Sequence, residues 1–109
     1  MERTIQIDGR DVKFRSSGAF PMIYRANTGR DLFADLVKIS ESAGDGEISF
    51  DTFDSQILED VIWCLAKCAD KGVQGKIDWF DTFDVFPIFE VFGQLNELVM
   101  TTMQTSKKA

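Results

Sequence analysis

Ile5-Gln6-Ile7-Asp8-Gly9-Arg10-Asp11-Val12-Lys13-Phe14 decides how this chain begins to fold. Ile5 and Ile7 alternate with polar neighbours, and Val12 and Phe14 resume the alternation after Asp8-Gly9. Period-two alternation places all four apolar side chains on one face of a β-hairpin, and Asp-Gly is a strong signal for its two-residue turn. A two-stranded ribbon is not stable by itself, so its apolar face needs a helical surface beneath it.

Downstream the period changes to that of helices. Ser16-Ser17-Gly18 breaks the strand pattern, and Pro21 suits the first turn of a short helix through Met22, Ile23 and Tyr24 that ends between Asn27 and Gly29. Thr28-Gly29-Arg30-Asp31 has the form of a capping box, with Thr28 as N-cap and Asp31 near N3. Behind it Leu32, Phe33, Leu36, Val37 and Ile39 form a helical stripe that fades into a loop over 40–46. A third helix starting at Asp51 or Thr52 carries Ile57, Leu58, Val61, Ile62, Leu65 and Cys68 inward, with Glu59, Asp60, Lys67 and Asp70 facing away. Gly72 and Gly75 follow it, and Asp78 is placed to cap a short turn bearing Trp79, Phe80 and Phe83. The last helix starts near Phe86-Pro87, with Ile88, Val91, Phe92, Leu95, Leu98, Val99 and Met103 on its apolar face. The expected fold class is therefore α+β: an N-terminal β-hairpin packed on a small bundle of four to five helices. Residues 1–104 form one domain in this reading, and 105–109 a flexible polar tail.

Composition agrees with a packed core. Hydrophobic residues make up 44% of the 109, including ten Phe and two Trp, which is too apolar for a disordered chain. The net charge of −6 is unevenly distributed. Residues 1–30 hold six bases and three acids, residues 31–109 six bases and fifteen acids, and residues 41–60 seven acids and no base. Such a body repels a duplex or an anionic membrane surface, so no nucleic acid and no membrane is expected as a partner. No apolar stretch approaches the ~18 residues of a membrane span, and Arg3 is unlike the start of a signal peptide. Two cysteines are too few for a secreted disulfide framework, and a cytoplasmic location follows as the expectation.

Chemistry has little to work with. The chain has no His, which removes the commonest general base near neutral pH and every Ser-His or Cys-His pair. The acid pairs Asp78/Asp81 and Asp51/Asp54 have the spacing of helix-start residues, and no glycine-rich loop follows a strand. Cys64 and Cys68 lie at i, i+4 without an imidazole, and so read as small core hydrophobes rather than as half of a zinc site. Asp45-Gly46-Glu47-Ile48-Ser49-Phe50-Asp51 looks like the centre of an EF-hand loop. With Gly46 at position six, however, position three is Ala43 and position twelve Thr52, so the bidentate carboxylate is missing. No enzyme activity, cofactor or metal is expected.

The aromatic run is the unusual feature. Phe80, Phe83, Phe86, Phe89 and Phe92 recur every three residues beside Trp79. Three-residue spacing drifts around a helix by roughly sixty degrees per step. The rings can share one core only if the chain bends near Pro87, and Phe89 is the first expected at the surface. An exposed aromatic on a small acidic domain is a partner-contact candidate.

Three segments carry a resemblance: residues 5–14, then Gly18-Ala19-Phe20-Pro21-Met22-Ile23-Tyr24-Arg25, then Gly29-Arg30-Asp31-Leu32-Phe33. In this order they resemble the opening of tail assembly chaperones from long-tailed phages and prophages of Gram-positive bacteria. The likeness is sharpest over 5–36 and extends loosely through Trp63-Cys64-Leu65-Ala66 and the aromatic run. It implies a non-enzymatic protein of the bacterial host cytoplasm that binds the phage tape-measure protein, keeps it soluble and is absent from the mature virion. It also implies a longer product made by translational frameshifting, through which tail tube protein is recruited. Lys107-Lys108 is compatible with a slippery run of adenines. Self-association is a further partner expectation. The expected partner contacts are Tyr24, Arg25 and Arg30 with Phe86, Phe89 and Phe92, although capping and core packing account equally well for the first three. Arg30 beside Asp31 and Asp35 is expected to make a local ion pair worth about a few tenths of a kcal/mol if exposed. Two other readings compete: a structural tail or neck component of the virion, and an acidic phage protein that binds a host factor.

Overall fold

The computed structural model describes residues 1–43 and 55–103. The chain runs β1 (Glu2–Ile7), β2 (Arg10–Arg15), α1 (Phe20–Thr28), α2 (Leu32–Ala43), α3 (Ser55–Ala69), α4 (Lys76–Asp81) and α5 (Ile88–Met103). This is the expected α+β order, a two-stranded antiparallel hairpin with, among the described residues, five helices around one core. The EF-hand-like centre at 45–51, the expected helix start at Asp51 or Thr52, the pair Asp51/Asp54 and the tail 105–109 lie outside the described residues.

Ile5 pairs with Val12 and Ile7 with Arg10, so the turn is Asp8-Gly9. Both turn residues have positive φ, 52° and 78°, as a type I′ turn requires, and this matches the right-handed twist of the strands. Ile5, Ile7 and Phe14 are buried on the inner face with Val12 partly covered. The turn is fastened at its tip. Asp8 Oδ2 accepts the Asp84 amide at 2.9 Å, Arg10 Nη2 donates to Thr82 Oγ1 at 3.0 Å, and the Arg10 guanidinium lies 3.8 Å from the Phe83 ring centre.

α3 is the central element. β2, α1 and α5 all pack on it, and ten of its residues are buried, Trp63, Cys64 and Ala66 among them. A helix covered on nearly every side is apolar all round rather than along one stripe. Asp60 therefore does not face away, as the stripe suggests, but is only 2% exposed.

Several local expectations are corrected. Thr28 closes α1 instead of capping α2: its hydroxyl donates to the Tyr24 carbonyl at 2.8 Å and accepts the Arg30 amide at 3.0 Å. Gly29 ends α1 in the left-handed region at φ 75°, where glycine pays no Cβ penalty. The residue that caps α2 is Asp31, whose Oδ2 accepts the Ala34 amide at 2.9 Å. α2 itself continues through Ala43, and Phe33 and Val37 on it are exposed while Leu32 and Leu36 are buried. In α4 the N-cap is Gly75 rather than Asp78, which sits in the first turn, and Asp81 ends the helix rather than starting one.

Candidate functional site

Two clusters organise the polar and aromatic side chains, and they meet at α4. The first surrounds Arg30, in the turn between α1 and α2. Its Nε donates to Asp35 Oδ2 at 2.9 Å, and its Nη2 donates to Asp60 Oδ2 at 2.6 Å and to the Tyr24 hydroxyl oxygen at 3.1 Å. Tyr24 donates its own proton to Asp35 Oδ2 at 2.6 Å, and Lys76 Nζ donates to Asp60 Oδ1 at 2.7 Å. Two buried carboxylates are thus matched by two half-buried cations and one phenol. Among the described residues, no buried side-chain nitrogen or oxygen lacks a hydrogen-bond partner.

The electrostatics follow from that arrangement. Burial, and then the hydrogen bond to Asp35, push the Tyr24 phenol well above the usual tyrosine range. The bond to Asp60 holds Arg30 more firmly protonated than usual against the opposing effect of burial. Taking charge out of water is costly unless pairing is complete, and here one guanidinium spans carboxylates from two different helices. The local surface pair expected for Arg30 is therefore an internal tie joining α1, α2 and α3, and Lys76 extends it to α4. Arg25 makes the surface pair instead, with Asp31 Oδ1 at 3.0 Å.

The second cluster is aromatic. Trp79 is buried and stands edge-on to Phe14, Phe80, Phe83 and Phe86, with ring centres 6.4, 4.9, 5.3 and 5.7 Å away. Phe80 and Phe83 also meet Phe86, at 4.8 and 5.0 Å. The break between α4 and α5 turns the three-residue spacing into a cluster, because Phe80, Phe83 and Phe86 no longer share a helix. Phe89, beyond the break on α5, stays 45% exposed.

Between these clusters lies an open groove of about 430 Å³, lined by Glu59, Lys76, Ile77, Phe80, Asp81, Phe83, Phe86 and Ile88. Ile77 is 80% exposed on α4, and Val85 of the connection between α4 and α5 is exposed as well. Such a surface can hold apolar side chains.

The six residues singled out in the sequence are separated by the fold. Tyr24 has no exposed surface and is taken up within the ion cluster together with Arg30. Arg25 is on the surface of α1. Phe86 lines the groove, Phe89 is exposed on α5, and Phe92 is half-buried against the core. Ile77, Phe80 and Ile88 were not singled out. No local pattern signals them, because their meeting in one groove is made by the fold.

The nucleophilic side chains are held in their protonated forms. Burial, then the charge of Asp60, push the Cys64 thiol up to about 12, and burial raises Cys68. Both thiols are free and buried. Among the described residues no group of three or more His, Cys, Asp or Glu is placed to hold a metal ion, and no helix is long and apolar enough to cross a membrane. Comparison with protein-family models, curated proteins and solved structures gave no match.

Proposed function

We propose that this chain is a non-enzymatic tail assembly chaperone that binds a phage tape-measure protein and keeps it soluble before the tail tube forms around it. The observation that carries the reading is the open apolar groove between α4 and α5, on a chain whose opening segments resemble those chaperones. A tape measure is long and helical and exposes apolar helical faces that aggregate when left uncovered. Covering such faces in shallow grooves is a recurring mode of helix recognition. The net charge of −6 keeps the resulting complex dispersed. Release during tube assembly needs moderate affinity at each contact, so many copies bound along one partner fit better than a single tight site.

Mass spectrometry tests this directly on a producing strain. The chain is expected in lysate, co-migrating with the tape measure, and missing from purified particles. Stoichiometric presence in particles would assign it instead to the tail or neck structure. Recovery from uninfected cells with a stoichiometric host protein would assign it to host binding.

A further inference from the structure

The groove has a charge pattern as well as an apolar floor. Its lining acids are Glu59 and Asp81. Its one lining cation, Lys76, is already bound to buried Asp60 at 2.7 Å. The segment that builds the groove, residues 76–90, adds exposed Asp78, Asp84 and Glu90 and contains no second base. Ile77, Phe80, Phe86 and Ile88 thus share the groove with an acidic border made by Glu59 and Asp81, while Lys76 is engaged by Asp60, and Arg10, stacked on the lining Phe83 ring, donates to Thr82.

We propose that this groove is the docking surface for an amphipathic helix whose apolar face is flanked by Lys or Arg. The apolar floor takes aliphatic side chains spaced at i, i+3 and i+4. The acidic border pairs with the flanking bases and sets which helices are accepted, since charge complementarity mainly governs specificity and encounter rate. A second copy docking through the same groove is a poor occupant, because the acidic border would meet its own negative charges across the interface. Lys76 has a positioning role. By holding Asp60 it ties the start of α4 to α3, and so ties together the two helices that bring Ile77 and Glu59 to the groove lining.

The inference deepens the chaperone reading and rests on it for the partner, which becomes the basic amphipathic segments of the tape measure. The test co-expresses tagged full-length chain with the tape-measure protein encoded alongside it and measures the partner recovered. Variants are Ile77→Glu, the pair Asp78→Lys with Asp81→Lys, and Met22→Glu at an exposed position of α1 outside the groove lining. Ile77→Glu forces a carboxylate against the docked apolar face and is expected to lower recovery about tenfold or more. The double reversal is expected to lower it severalfold and to weaken its salt dependence, and Met22→Glu to leave it at the unmodified level. Circular dichroism checks that each variant is folded, and Ile77→Ala supplies a milder truncation where Ile77→Glu is not. Unchanged recovery with both groove variants would overturn the docking site while leaving the chaperone reading intact. So would loss of self-association with partner recovery preserved, which would assign the groove to a second copy. No recovery by the unmodified chain would remove the chaperone reading and the docking site together.

Discussion

Asp35 and Asp60 place two carboxylates where water cannot reach them, and Arg30 is the group that answers both. Removing one partner of a buried pair leaves an uncompensated charge, so Arg30→Met is expected to destabilise the fold by about 3 kcal/mol in urea unfolding. Arg30→Lys should restore less than half of that, because an ammonium cannot fork to two carboxylates and a phenol in one plane. Tyr24→Phe removes one donor to Asp35 and should cost about 1–2 kcal/mol. The same residues set an alkaline limit. Tyrosine in an unfolded chain ionises near ~10 and cysteine near ~8.5, whereas folded Tyr24 keeps its proton beyond that range and Cys64 up to about 12. Above those unfolded values the unfolded state has lost protons that the native state still holds, so stability is full below about pH 8.5 and falls as pH rises. The slope is about 1.4 kcal/mol per pH unit for each group in its window. Thermal melts between pH 8 and 12 should show the fall, with a shallower slope in Cys64→Ala. An unchanged melting temperature to pH 11 would contradict it. The tie was hidden in the sequence because Asp60 finds its partners thirty and sixteen residues away. The stripe on α3 placed Asp60 outward with Glu59 and Lys67, whereas the fold also buries Trp63, Cys64 and Ala66 and takes Asp60 inside with them.

At the scale of elements, the hairpin turn and the junction of α1 with α2 are each decided by a local backbone requirement. Asp8-Gly9 was legible because period-two alternation on both sides leaves only a two-residue turn, and only residues tolerant of positive φ fit it. Gly9→Ala should therefore cost about 1–2 kcal/mol through left-handed strain alone, read as a lowered urea midpoint with an unchanged slope. The cap of α2 was misread because Thr28 and Asp31 both belong to the capping repertoire and the motif does not say which helix owns Thr28. The structure gives Thr28 to α1 and Asp31 to α2, so Asp31→Ala should cost about 1 kcal/mol, the usual price of a lost N-cap. Hydrogen exchange should place that loss in the first turn of α2. The bend between the aromatic helices was foreseeable from Pro87 and the three-residue spacing. The cluster that Phe80, Phe83 and Phe86 make around Trp79 was not, since it depends on where Phe14 of the hairpin lands.

Across the whole molecule the arrangement separates what is closed from what is open. The ion cluster joins four helices internally, and the hairpin is fastened to the connection after α4 by Asp8 and Arg10. The open groove then falls among α3, α4 and α5, within the acidic part of the chain. Fold class was readable from periodicity because period two over the hairpin gives way to period 3.6 in the segments that follow. The groove was not, because it is made by residues from α3, α4 and α5 whose proximity no local pattern encodes. The chaperone function is tested most directly by co-expressing the tape-measure protein with and without this chain and measuring its soluble fraction. A chaperone makes the tape measure soluble and co-purifies with it at several copies per partner. A tape measure that stays insoluble while this chain purifies alone and folded would contradict that function.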